Sequence, residues 1–134
     1  MSLIGIDLLR SVIAFSRNPD HRVYALIGRR TFSATANFIT DLERLVGPVW
    51  VGEASSECCN IHGDPTSVTL PYSGTSGEFS VVRWNLSMNV FDGRREMSPD
   101  VPVQLTAKAY FAGQDPALDA VFRLIGEEKR SAAR

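Results

Sequence analysis

No apolar run in this chain approaches the roughly 20 residues that a membrane-spanning helix needs. The opening stretch, MSLIGIDLLRSVIAF, carries one basic residue, Arg10, embedded among apolar ones. It also carries an acid, Asp7, and lacks a small-residue cleavage pattern, so it reads as an amphipathic helix and not as a signal peptide. Neither sign of charge dominates: 14 basic and 15 acidic side chains leave a formal net charge of -1. Surfaces that track nucleic-acid phosphates concentrate positive charge. Here the basic spots are pairs, Arg29-Arg30, Arg94-Arg95 and Lys129-Arg130, which read as solvated surface. Neither a nucleic acid nor a membrane span is therefore expected.

Cysteine is scarce, and its two copies, Cys58 and Cys59, are neighbours. A bond between adjacent cysteines closes an eight-membered ring that strains the peptide between them. The expectation is two free thiols and no disulfide framework, which fits a reducing compartment without fixing the localisation. With His62 the pair reaches three ligands, one short of a closed tetrahedral zinc site, so no metal is expected. No cofactor motif is present either. Lysine is just as rare: only Lys108 and Lys129.

What is present is the material of one globular domain. The chain has 134 residues, 44% hydrophobic and 22% charged, which suits a single domain. A chain of this size buries roughly two-thirds of its surface. Ile4, Leu8, Leu9, Val12, Ile13 and Phe15 recur at helical spacing and predict a helix over about 5–16. Residues 23–27 form a nearly continuous apolar run, the mark of a strand buried on both faces. Thr31 is placed to cap a helix from Phe32 to Val46 with Phe38, Leu42, Leu45 and Val46 inward, and Gly47-Pro48 stops it. Val49–Val51 is the next strand, and the alternation predicts an α/β layout.

Residues 52–65 read as a polar loop and residues 91–100 as another. Between them, 66–70 and 78–86 predict a hairpin. Residues 101–105 predict an edge strand, because Pro102 cannot donate to a central ladder. Asp115-Pro116 is a helix start, with Leu118, Val121, Phe122 and Ile125 facing inward. Residues 127–134 read as a frayed tail.

Ser33, in GRRTFSATANF, falls just past the turn between the first strand and the following helix. Unpaired N–H groups at a helix start carry partial positive charge and stabilise an alkoxide or a developing oxyanion. Ala34 and Ala36 leave room for a peptide to approach. Serine is also common at helix starts for capping alone. Glu53, after Val51-Gly52, reads as a solvated loop acid.

Three stretches together resemble the S41 family of serine peptidases, the tail-specific or C-terminal processing proteases. They are Gly28-Arg-Arg-Thr-Phe-Ser-Ala-Thr-Ala-Asn-Phe38; Val51-Gly-Glu53 with Asn60 and Gly63-Asp64; and Ser98-Pro-Asp-Val101 through Tyr110-Phe-Ala-Gly-Gln-Asp-Pro-Ala-Leu118. The resemblance spans about residues 5 to 126 and is to the second half of that family's catalytic domain. It implies a crotonase-like (ClpP/crotonase-type) α/β fold of repeated ββα units, incomplete at its N-terminal side. It also implies that Thr31-Phe-Ser-Ala-Thr35 holds the nucleophile, Ser33. Its partners would be an extended peptide or an unfolded protein C-terminus laid along a strand edge.

The family's general base is a lysine, whose place falls at or next to Cys58. No lysine lies in that loop, and Cys58 is not expected to act as a base. His62 is the nearest replacement. Little turnover is expected of this chain alone. The alternative is a non-catalytic crotonase-like remnant that binds peptide or a second copy of itself, and self-association into a homo-oligomer is expected under either reading. An acyl-CoA enzyme of crotonase type would need an oxyanion pair and a phosphate site that the sequence does not display.

Overall fold

The computed structural model describes residues 3–132. In chain order the elements are α1 (Leu3–Ser16), β1 (Tyr24–Ile27), α2 (Ala34–Leu45), β2 (Val49–Gly52), β3 (Asn60–Thr69), β4 (Ser76–Asn85), β5 (Val101–Pro102), α3 (Ala107–Phe111) and α4 (Pro116–Ala132). Strands β1, β2 and β5 form a parallel sheet with β2 central, and β3 and β4 form a separate antiparallel pair. The chain is thus mixed α/β.

Successive strand residues point to opposite faces, and this alternation sorts the core into two layers. On one face Ala25, Ile27 and Trp50 pack with Leu9 of α1 and with Ile39 and Leu42 of α2. On the other, Tyr24, Val49 and Val51 pack with Ala120 and Val121 of α4. Gly52 ends β2 with φ 124°, and a methyl there would run into the Ile27 carbonyl oxygen. Only glycine lets the two strands stay paired to that point.

Several expectations needed correction. In α1, Leu9 is buried and Val12 and Ile13 pack on the core, but Leu8 and Phe15 face outward. Phe15 stacks instead on the His21 ring, 4.1 Å between centroids. The side chain of Ile4 lies outside the described residues. Strand β1 is not covered on both faces, since Leu26 is 47% exposed at the sheet edge. Helix α2 begins after Ser33 and not at Phe32. The reason is local: the Thr31 hydroxyl accepts from Gly28 N–H (3.1 Å) and closes a turn, so it is not available to cap the helix. Its buried residues are Ala36, Ile39, Thr40 and Leu42, with Phe38 and Val46 partly buried and Leu45 exposed. Gly47, with φ 63°, ends the helix as expected.

The polar loop is shorter than expected. Residues 60–65 join β3, because the ladder to the apolar run of β4 draws them in: Ile61 pairs with Trp84 and Gly63 with Val82. Pairing across strands overrides weak local propensity. Strand β5 is an edge strand, as Pro102 implied, but only two residues long. Helix α3 was not expected; the Thr106 hydroxyl caps it by accepting from Ala109 N–H (3.1 Å). Asp115 does the same for Leu118 N–H (3.0 Å) at the start of α4. That helix continues to Ala132, so 127–132 is not a frayed tail; residues 133–134 lie outside the described residues. Leu118 and Phe122, expected inward, are exposed.

The sulfur atoms of Cys58 and Cys59 lie against each other. Cys59 has φ 76°, a left-handed turn, and both residues are buried in the first core layer beside Met97. Among the described residues no three His, Cys, Asp or Glu side chains converge as metal ligands. None of the described helices is long and apolar enough to cross a membrane.

The loop 86–100 is held against α2 by one arginine. Arg94 donates to both Glu43 oxygens (2.8 and 2.9 Å) and to Asp92 (2.9 Å). Hydrogen bonding from Arg94 holds the Asp92 carboxyl below its ordinary value. Arg94→Ala is expected to cost about 1 kcal/mol, because solvent screens so exposed a group. A carboxyl lowered in the folded state contributes stability above its unfolded pKa and loses it as pH falls through the folded one. The difference between the two chains in urea denaturation should therefore be full at neutral pH and shrink below about pH 4.

Candidate functional site

The β1–α2 connection carries the feature from which a site can be built. Ser33 is the N-cap of α2 with φ 56° and ψ -125°, a backbone conformation outside the allowed regions for a side-chain-bearing residue. Such strain persists only where the surroundings over-determine it, and it gathers at functional sites. A nucleophilic serine on a strained strand-to-helix turn is one such arrangement. The Ser33 side chain does not cap the helix, and the residue is exposed. The first helical bond runs from Asn37 N–H to the Ser33 carbonyl (3.2 Å).

The turn is fixed by the loop that follows β2. Ser56 N–H donates to the Thr31 carbonyl (3.1 Å), and the Ser56 hydroxyl donates to the Arg29 carbonyl. Ser33 N–H donates to Glu57 Oε2 (2.7 Å). The loop is itself anchored. The buried Ser55 hydroxyl donates to the Glu57 carbonyl (2.9 Å) and accepts from Met97 N–H (2.8 Å). Beyond Glu57, Cys59 N–H donates to the buried Thr40 hydroxyl of α2 (3.2 Å). Glu57 is thus presented from a backbone held on both sides.

Beside Ser33 opens a groove of about 580 Å³. Phe32, Asn37, Glu57, His62 and Trp84 contribute to its walls. Asn37, one of the lining residues, has its side-chain Oδ1 buried without a hydrogen-bond partner. Among the described residues the Ala34 amide, next after Ser33, also has no hydrogen-bond acceptor. The Ser33 hydroxyl, the Ala34 amide and the carboxylates of Asp41, Glu57 and Asp64 thus belong to one groove.

The residues singled out from sequence divide accordingly. Ser33 and His62 line the same groove, His62 exposed on β3 opposite Arg83. Cys58 is turned into the core and does not line it. Glu53 is not a freely solvated acid: it pairs with Arg29 (2.7 Å) beside a second cavity at the C-terminal ends of β1 and β2. Glu57 and Asn37 escaped the sequence reading. Each had a signal. Glu57 directly precedes Cys58, where the resemblance places the base, and Asn37 follows Ser33 at four residues, one helical turn on.

Glycine relieves a positive φ that alanine does not. Ser33→Gly is accordingly expected to exceed Ser33→Ala in stability by about 1 kcal/mol or more, measured by denaturant unfolding. Equal stabilities would mean that the turn relaxes and stores no strain. No family model matches the chain, and no curated protein matches it.

Proposed function

We propose that this chain is a crotonase-like serine peptidase domain of the S41, tail-specific type, in which Ser33 attacks the carbonyl of an extended peptide or an unfolded C-terminus. The single observation that carries this reading is the strained, exposed backbone of Ser33 at the head of α2, beside a groove of about 580 Å³. Two further features support it. The Ala34 amide is free to meet an oxyanion. Strands β3 and β4 form one wall, offering an edge along which an extended chain can lie. The loop after β2 holds no lysine, so the proton of Ser33 has to go elsewhere, and His62 is the base named by sequence.

A second reading has its own observation. The β3–β4 hairpin is exposed along nearly its whole length, including Phe79 (54%) and Val81 (55%). A lone two-stranded hairpin is marginal in water. Cover from a second copy would stabilise it, and this favours a self-associating module, with or without catalysis.

A serine-reactive fluorophosphonate with mass spectrometry tests the first reading. Ser33 should be labelled, and Ser33→Ala should abolish the label; absence of any adduct on the folded chain rejects a live nucleophile. Sedimentation velocity tests the second. The chain should dimerise with rising concentration, and Phe79→Lys with Val81→Lys should return it to monomer. A concentration-independent monomer would end that reading.

A further inference from the structure

We infer that Glu57 is the general base for Ser33, the group that takes the hydroxyl proton in place of the missing lysine. This rests on the peptidase reading above and assigns that site a residue which neither the sequence nor the resemblance had named. The geometry is direct. Glu57 Oε2 already touches Ser33, accepting its amide N–H at 2.7 Å. The serine hydroxyl oxygen lies three bonds from that nitrogen, so a carboxylate seated on the amide stands close to the hydroxyl as well. Apo sites commonly hold such contacts loosely until substrate arrives.

Three observations separate Glu57 from other acids in the chain. Among the described residues no arginine or lysine pairs with it, whereas Glu53 is held by Arg29 and Glu43 by Arg94. A carboxylate committed to a guanidinium is a poor proton acceptor; Glu57 has an uncommitted oxygen, Oε1. Its backbone is fixed on both sides, through Ser55 and through the Cys59–Thr40 bond. It is partly buried and lines the groove with Ser33. His62 sits on the exposed hairpin, whose strands pack on little else.

The chemistry balances. The Ser33 hydroxyl proton passes to Glu57 as Oγ bonds to the peptide carbonyl carbon, and the carbonyl oxygen becomes an oxyanion facing the Ala34 amide. The C–N bond then breaks, and the departing amine takes the proton from Glu57, leaving an acyl ester on Ser33. Water attacks the ester with Glu57 taking its proton. That proton returns to Oγ as the acid leaves.

Glu57→Gln separates catalysis from structure, because a glutamine oxygen still accepts from Ser33 N–H but does not take up the proton. A positioned base is worth 10²–10⁴-fold. The E57Q chain should keep its unfolding midpoint and be labelled at Ser33 on the order of 100-fold more slowly by the fluorophosphonate. Labelling within about tenfold of the unsubstituted chain overturns the assignment, and loss of labelling in His62→Ala alone transfers the role to His62. Should E57Q not fold, Glu57→Ala with added formate decides: restoration by formate and not by imidazole supports Glu57, and no restoration, or restoration by imidazole, overturns it. If the unsubstituted chain takes no label, the peptidase reading itself has failed, an outcome distinct from failure of Glu57.

Discussion

The hydrogen bonds between the turn before α2 and the loop after β2 are the constraint on which the rest of the site depends. Ser56 binds the carbonyls of Arg29 and Thr31, and Glu57 binds the amide of Ser33. These contacts close residues about two dozen positions apart into one rigid unit. Without them nothing would hold Ser33 at positive φ, since the residue would relax toward an ordinary helix start by capping with its own hydroxyl. With them the capping role passes to the Glu57 carboxylate, whose negative charge suits the positive end of a helix. The serine side chain is released from structural duty and left facing the groove.

This unit is carried by the parallel sheet. Pairing of β1 with β2 brings Gly28 and Glu53, the residues just beyond each strand, side by side, so the two connections must run together. Glu53 N–H donates to the Ile27 carbonyl (3.1 Å) and prolongs the ladder to the point where the loops diverge. Helix α2 is then fixed by its buried face, Ala36, Ile39, Thr40 and Leu42. Thr40 bonds within the helix to the Ala36 carbonyl (2.8 Å) and outward to Cys59, so the helix and the loop share a buried polar link. Packing energy gathered in the core is thereby converted into precision at Ser33.

The β3–β4 hairpin differs in character from this body. Only Ile61, at its base, is buried, while the remainder projects with apolar residues on both faces. Near its base it forms a groove wall, where Trp84 covers Gly63 closely enough that a methyl on the glycine would press on the indole nitrogen at 3.1 Å. The same element thus serves the groove at one end and leaves an open surface at the other.

The sequence by itself determined the elements whose signals are local. Apolar spacing placed α1 and α2, Gly47-Pro48 ended α2, Asp115-Pro116 opened α4, and Pro102 marked an edge strand, because periodicity, capping and ring constraints act within a few residues. It also drew attention to Ser33. Only the tertiary structure decided what depends on distant partners. Residues 60–65 became strand because β4 lay opposite, α4 ran on past residue 126, and Thr31 yielded the cap to a turn. Glu57 reached Ser33 only because two parallel strands set their following loops side by side, 24 residues apart in the chain. Local sequence carries propensities, but a carboxylate's meaning is set by which amide and which cation it meets, and that is known only once the chain has folded.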